Sequence, residues 1–267
     1  MSLVVVRALG LVTVQDGGRA GYMHEGLAPG GALVRSALVA ANRAASNDDF
    51  APAIEVLGRL TVRAEAATAI ATDRISRRML EGELVIESEP QRATYLALRG
   101  GVSAPMILGS ASTHVAAQLG QPLAPGQRVV SAGAAVRVAK APAPQRGGAI
   151  RVLPGPDAYA FSPDALAALV SAPYRMSPTS DRVGTRLVGP IIARSSAPDR
   201  SRPTVKGAVE VPRDGQPIVL GPEHPTTGGY PIVGVIASTD LDRFFAMRIG
   251  GEIVFEVGHV ATSRARS

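Results

Sequence analysis

Thr94-Tyr95-Leu96-Ala97-Leu98-Arg99 alternates with a period of two. In an extended chain Leu96 and Leu98 share one face and Tyr95 and Ala97 the other, as a strand in a packed sheet requires. Similar short β-branched runs flank it. They fall at residues 3–7, 54–57, 60–63, 68–72 and 84–87 before it, and at 135–140, 149–153, 208–211, 217–220, 232–237 and 252–257 after it. Gly, Pro, Asp and Asn punctuate them at the spacing of sandwiches and barrels. Helical signals are few. Leu33, Ala37, Leu38 and Ala41 share a helical face running to about Arg43. Ser162 with Pro163 opens a helix over 165–170, and Ser238 or Thr239 caps one over 240–247, stopped by Gly250-Gly251. A doubly wound α/β fold needs a helix between nearly every pair of strands, and those helices are missing. The expected fold is mostly β with a few short helices.

Ala141-Pro142-Ala143-Pro144-Gln145-Arg146-Gly147-Gly148 holds neither a helix nor a central strand and reads as the linker. It divides the chain into lobes 1–148 and 149–267. The 267 residues suit two domains. A hydrophobic content of 46% against 19% charged residues supports a sizeable core and excludes wholesale disorder. Aromatics are 4%, so that core is built from Val, Leu, Ile and Ala.

The absence of cysteine excludes a disulfide scaffold, a thiolate metal site and a Cys nucleophile. The start, Met1-Ser2-Leu3-Val4-Val5-Val6-Arg7, does not read as a signal peptide, and no apolar run approaches a membrane span. A cytoplasmic protein without membrane contact is expected. The net charge of +6 rests on scattered arginines, with only Lys140 and Lys206 as lysines, which is not the stripe of a nucleic-acid binder. Arg194, Arg200 and Arg202 form the densest cluster, in a Ser/Pro/Asp stretch read as a solvated loop. Neither lysine stands in a phosphate-binding loop or follows the Met usual for a biotin anchor, and no Gly-x-Ser-x-Gly elbow is present. His24, His114, His224 and His259 lack metal-ligand spacing, so no metal site is expected. His259 reads as surface.

Three loops carry chemistry. In Gln15-Asp16-Gly17-Gly18-Arg19-Ala20-Gly21-Tyr22, glycines free the backbone N–H groups to point at an anion, and Arg19 offers a bidentate contact. A plain Asp-Gly hairpin turn explains the same residues equally well. Pro222-Glu223-His224-Pro225-Thr226-Thr227-Gly228-Gly229-Tyr230-Pro231 pairs two hydroxyls with Gly-Gly and a phenol. Gly109-Ser110-Ala111-Ser112-Thr113-His114 is again small and hydroxylated. Each of the last two is also a competent self-satisfying turn.

The first loop, with Val12-Thr13-Val14 before it, resembles the opening motif of the biotin-dependent carboxyltransferase-like family. That family includes allophanate hydrolase subunit 2, the KipA antagonist, the C-type subunit of bacterial 5-oxoprolinase and half of the urea carboxylase carboxyltransferase domain. The likeness continues through Gly30-Gly31-Ala32, Leu108-Gly109-Ser110-Ala111-Ser112-Thr113, Ser180-Asp181-Arg182-Val183-Gly184-Thr185-Arg186, Gly207-Ala208-Val209-Glu210-Val211-Pro212, Asp214-Gly215-Gln216-Pro217 and Thr226-Thr227-Gly228-Gly229-Tyr230-Pro231. The sequence departs from the family at Leu33-Val34, at His114 after Ser112-Thr113, and at Pro225 before the Thr-Thr-Gly-Gly motif.

The resemblance implies two cyclophilin-like barrels and a complex with a smaller subunit of the KipI or allophanate hydrolase subunit 1 type, with a LamB/YcsF-like subunit as a further partner. It implies a small amide or lactam substrate, ATP consumed by the assembled complex, no covalently bound cofactor, and biotin only if a partner supplies it. The leading expectation is a subunit of a 5-oxoprolinase-like hydrolase. The alternatives are a non-catalytic KipA-like regulator and a carboxyltransferase subunit. Arg19, Thr226, Thr227 and Tyr230 are the candidate catalytic residues. Gln15, Asp16, Gly17, Gly18, Gly228, Gly229, Ser112 and Gln216 are candidate substrate contacts. Gln216, with Asn42, is better read as a scaffold hydrogen-bonder, and Glu55 could be a base but reads more readily as a structural acid. The 15–22 and 226–231 loops are expected to meet in one cleft, with Arg19→Ala lowering activity and sparing the melting temperature.

Overall fold

The computed structural model describes residues 1–76, 78–133, 147–195 and 200–258. The strand read at 135–140, residues 141–146 of the linker read at 141–148, and His259 lie outside them. The chain is mostly β and forms two compact units, Met1–Gln145 with Phe245–Arg248, and Arg146–Phe244 with Ile249–Ser267.

In the first unit, β1 (Ser2–Gln15), β2 (Ala53–Thr72), β3 (Arg78–Glu87), β4 (Thr94–Leu98) and β5 (Arg128–Val130) form one sheet in the order β3-β2-β1-β5, with β4 also paired to β2. The runs at 54–57, 60–63 and 68–72 are not three strands but one, 20 residues long. Its two ends both pair with β4, Leu96 facing Ile54 at one and Thr72 at the other, so the strand curls around a core. Gly10 and Gly58 sit opposite each other in β1 and β2. A Cβ on Gly10 would lie 2.2 Å from the Leu57 carbonyl oxygen, so only glycine permits this crossing. Leu3, Val5, Val12, Ile54, Val56, Leu60, Val62, Ile70, Leu96 and Leu98 fill the interior. Helix α1 (Arg35–Ala44) packs on β2 and β4, which is why all five residues of β4 are buried and not only its leucines. Leu33 precedes this helix.

In the second unit, β6 (Ile150–Pro154), β7 (Tyr174–Met176), β8 (Gly184–Val188), β10 (Ala208–Glu210), β11 (Ile218–Leu220), β13 (Ile232–Ile236), β14 (Glu252–Ile253) and β15 (Phe255–Val257) run in the order β14-β7-β8-β11-β10-β13-β6-β15. The two outermost strands, β14 and β15, are separated in the chain by Val254 alone. The ends of the sheet are thereby drawn together into a nearly closed barrel that leaves few unpaired edges. A separate ribbon pairs β9 (Arg202–Pro203) with β12 (Thr227–Gly228). Helix α2 (Ala165–Val170) starts after a turn at Pro163-Asp164, and Ser162 offers it no side-chain cap. Helix α3 (Leu241–Ala246) follows a 3-10 turn at Ser238–Asp240. Phe255 packs against Tyr174 and Phe244, with ring centroids 6.0 and 6.4 Å apart.

Candidate functional site

The 15–22 loop is an interior lock in the first unit. Asp16 is buried, and its carboxylate accepts from Gly18 N–H (2.8 Å), Ser110 Oγ (2.6 Å), Ala111 N–H (2.7 Å) and Ser112 Oγ (2.5 Å). Gln15 is wholly buried and donates to Thr13 Oγ1 and to the Thr113 carbonyl, both at 3.0 Å. Arg19 is 2% exposed, and its guanidinium donates to the Ser112 carbonyl at 2.5 Å.

The first and third hydroxylated loops are therefore brought together, but by bonds to each other. The Gly18 N–H expected to hold an anion is engaged by Asp16, and Arg19 faces a backbone carbonyl. Gly17 packs on the Phe50 ring, and Gly18, at φ +84°, backs onto the Pro29 carbonyl. The physical reason is burial: a carboxylate and a guanidinium out of water recruit every nearby donor and carbonyl.

Glu55 resolves the same way. Its carboxylate accepts from Leu33 N–H (2.8 Å) and Tyr95 O–H (2.6 Å), and Tyr95 Oη in turn accepts from Val34 N–H (3.0 Å). Glu55 is a structural acid joining β2, β4 and the approach to α1. Asn42 donates to the Ala51 and Asp49 carbonyls and accepts from Asn47, a scaffold role.

In the second unit the 226–231 loop remains accessible. Thr226 and Gly228 are half-buried, and Thr227, Gly229 and Tyr230 are exposed. Strand β12 holds it against β9, with Gly228 opposite Arg202 and Thr204 N–H donating to the Thr226 carbonyl at 3.1 Å. Gln216 lies elsewhere in this unit, where it exchanges hydrogen bonds of 3.0 and 3.1 Å with the backbone of Gly189 and acts as scaffold.

Beneath the loop lies a buried polar cluster that the residue patterns did not disclose. Thr204 Oγ1 is 3.0 Å from His224 Nδ1 and bonds the Pro225 carbonyl. Burial, above all, lowers the pKa of His224 below its ordinary value. Asp157, wholly buried, accepts from Ile232 N–H at 2.8 Å and pairs with Arg202, whose guanidinium also donates to Tyr159 Oη at 3.0 Å. Arg200 stacks over the Tyr159 ring. The 200–202 arginines thus engage an aromatic ring and a buried acid instead of only solvent. Glu210 is 5% exposed, and burial pushes its pKa up to about 7. Its one sequence signal was a charge inside the apolar run Ala208-Val209-Glu210-Val211. Behind the loop Arg182 and Glu223 form a buried ion pair at 2.5 Å.

Among the described residues no group of three or more His, Asp or Glu is placed to hold a metal ion, and no helix is long and apolar enough to cross a membrane.

Residues 82–257 match the family of the carboxyltransferase domain, subdomain A and B. The chain belongs to this family. This carboxyltransferase-domain chain is 34% identical to the C-type subunit of the 5-oxoprolinase of Escherichia coli (strain K12), over 95% of its own length and 90% of that protein's. The crystal structure of TTHA0988 matches it with a TM-score of 0.81 at 30% identity, covering 96% of this chain and 55% of that one. The urea carboxylase of Kluyveromyces lactis matches with a TM-score of 0.85 at 22% identity, over 97% of this chain and 27% of that one, a likeness of fold. The family read from the 12–22 and 226–231 motifs is borne out.

Proposed function

We propose that this chain is a subunit of a heteromeric, ATP-consuming hydrolase that opens a small cyclic or linear amide, with 5-oxoproline as the first substrate to test. The observation that carries this reading is the near end-to-end match with the C-type subunit of Escherichia coli 5-oxoprolinase. Partners of the KipI and LamB/YcsF types complete the enzyme.

The chemistry available here suits orientation of an amide. Thr227 and Tyr230 present a hydroxyl and a phenol at the surface, with Thr226 beside them. Gly228 and Gly229 let a planar substrate approach the backbone, whose N–H groups then stabilise oxyanion charge as water attacks the carbonyl. Arg19, Gln15, Asp16, Gly17, Gly18 and Ser112 hold the shape of the first unit's loops, and Gln216 that of the second's. Neither Lys140 nor Lys206 stands in a phosphate-loop or biotin-anchor context, and biotin takes part only if a partner supplies it.

The test is co-expression with neighbouring KipI-like and LamB/YcsF-like subunits, followed by an assay of glutamate released from 5-oxoproline with and without ATP. ATP-dependent release that is lost when this chain is omitted supports the reading. A co-purifying complex that hydrolyses no 5-oxoproline overturns it in favour of a KipA-like regulator. Carboxyl transfer from a biotinylated partner overturns it in favour of a carboxyltransferase subunit.

A further inference from the structure

Glu210 closes β10, where the pairing with β13 slips between Val209 and Glu210. All three residues of β10 are buried, Glu210 among them. One carboxyl oxygen, Oε1, is buried without a hydrogen-bond partner. It points at the candidate loop: a Cβ built on Gly228 would fall 2.5 Å from Glu210 Oε1 and 2.9 Å from Thr204 Cγ2. Gly228 is not in the left-handed region, so what disfavours a side chain there is the Glu210 carboxyl together with the Thr204 methyl behind it.

We propose that Glu210 is the positioning residue of the 226–230 loop, its buried carboxyl serving as the floor under Gly228 so that the loop docks most firmly while that carboxyl is uncharged. This deepens the function proposed above, because the same loop carries Thr226, Thr227 and Tyr230.

The physical basis is the cost of an unpaired charge out of water. The groups around Glu210 do not remove that cost. Arg202, across the ribbon, is paired with Asp157, and Asp157 also caps Ile232, the residue opposite Glu210 in β13. Burial lowers the pKa of His224 and so disfavours its charged form, Lys206 lies near it, and Tyr230 is exposed. β11 and β13 bring no charged side chain. With the loop docked, Glu210 titrates at about 7 against an ordinary carboxyl value of 4.5. A group whose pKa is raised in the docked state stabilises that state fully below its free value, and this contribution is lost as pH rises from 4.5 to about 7. Above that the docked acid is itself ionised and the effect levels off.

Hydrogen exchange of the full chain, followed by mass spectrometry on peptides spanning 224–231 and corrected for intrinsic base catalysis, tests this. In the wild type the opening constant of that peptide is expected to rise at least ~10-fold between pH 5 and 7 and then level off. In Glu210→Gln, which keeps the shape of the neutral acid, it is expected to stay flat. Gly228→Ala, whose methyl meets the carboxyl, is expected to loosen the same peptide already at pH 5. The same pH dependence in Glu210→Gln as in the wild type overturns the proposal, as does unchanged protection in Gly228→Ala. A parallel pH profile of 5-oxoproline hydrolysis by the assembled complex separates the two claims. If the loop responds as stated while the complex never hydrolyses 5-oxoproline, the positioning role stands and the substrate assignment falls.

Discussion

Asp240 offers a direct test of how the second unit is held together. Its carboxylate accepts from Arg151 N–H and Nε at 2.9 Å and from Arg151 Nη2 at 2.8 Å, and Arg243 Nη2 lies 3.1 Å away. Asp240 stands just before α3 and Arg151 lies in β6, so this one carboxylate ties helix to barrel. The Arg151 hydrogen bond is the main cause that holds its pKa down, from 3.8 to about 2, against the opposing effect of burial. At about 1.36 kcal/mol per pH unit, that difference is worth ~2.4 kcal/mol. The Arg151 side chain is 43% exposed, so solvent screening reduces the expected loss in Asp240→Asn to about 1.5–2 kcal/mol at pH 7. A group whose pKa is depressed by folding stabilises above its unfolded value and loses that contribution as pH falls. The gap between wild type and variant should therefore be constant from pH 7 to 5 and shrink below about 4. Urea unfolding followed by far-ultraviolet circular dichroism at pH 7, 5, 4 and 3.5 measures it. A gap under about 0.5 kcal/mol at pH 7, or one that persists undiminished at pH 3.5, would refute this account.

Arg19→Ala should lower the melting temperature, contrary to the expectation from sequence, because removing a buried guanidinium from the Ser112 carbonyl costs roughly 1.5–3 kcal/mol; an unchanged melt would return Arg19 to the role of a substrate clamp. Arg19→Lys should not restore it, since an ammonium lacks the planar fork. Tyr95→Phe leaves Val34 N–H and the Glu55 carboxylate short of a partner and should cost about 1–3 kcal/mol in equilibrium unfolding. Tyr230→Phe, altering an exposed phenol, should leave unfolding within about 0.5 kcal/mol of wild type while reducing turnover by the assembled complex; equal turnover would remove Tyr230 from the site.

The alternation at 94–99, the β-branched runs and the missing helices determined a strand-rich chain by themselves, because side-chain periodicity is a local property that the backbone must obey. Ordered motifs such as Thr226-Thr227-Gly228-Gly229-Tyr230 determined the family for a related reason: glycines and hydroxyls at fixed offsets specify particular backbone shapes. What each motif does was decided by neighbours distant in sequence. Asp16 meets Ser110 and Ser112 almost a hundred residues on, and those bonds turn an apparent anion cradle into a lock. The 54–72 segment reads as three strands until pairing with β4 at both ends shows it to be one. Glu210 stands in the sequence as one charge within the apolar run 208–211, and only packing placed it under Gly228. Sequence carries the preferences of single elements; burial, and with it the partner of every polar group, exists only once the elements pack.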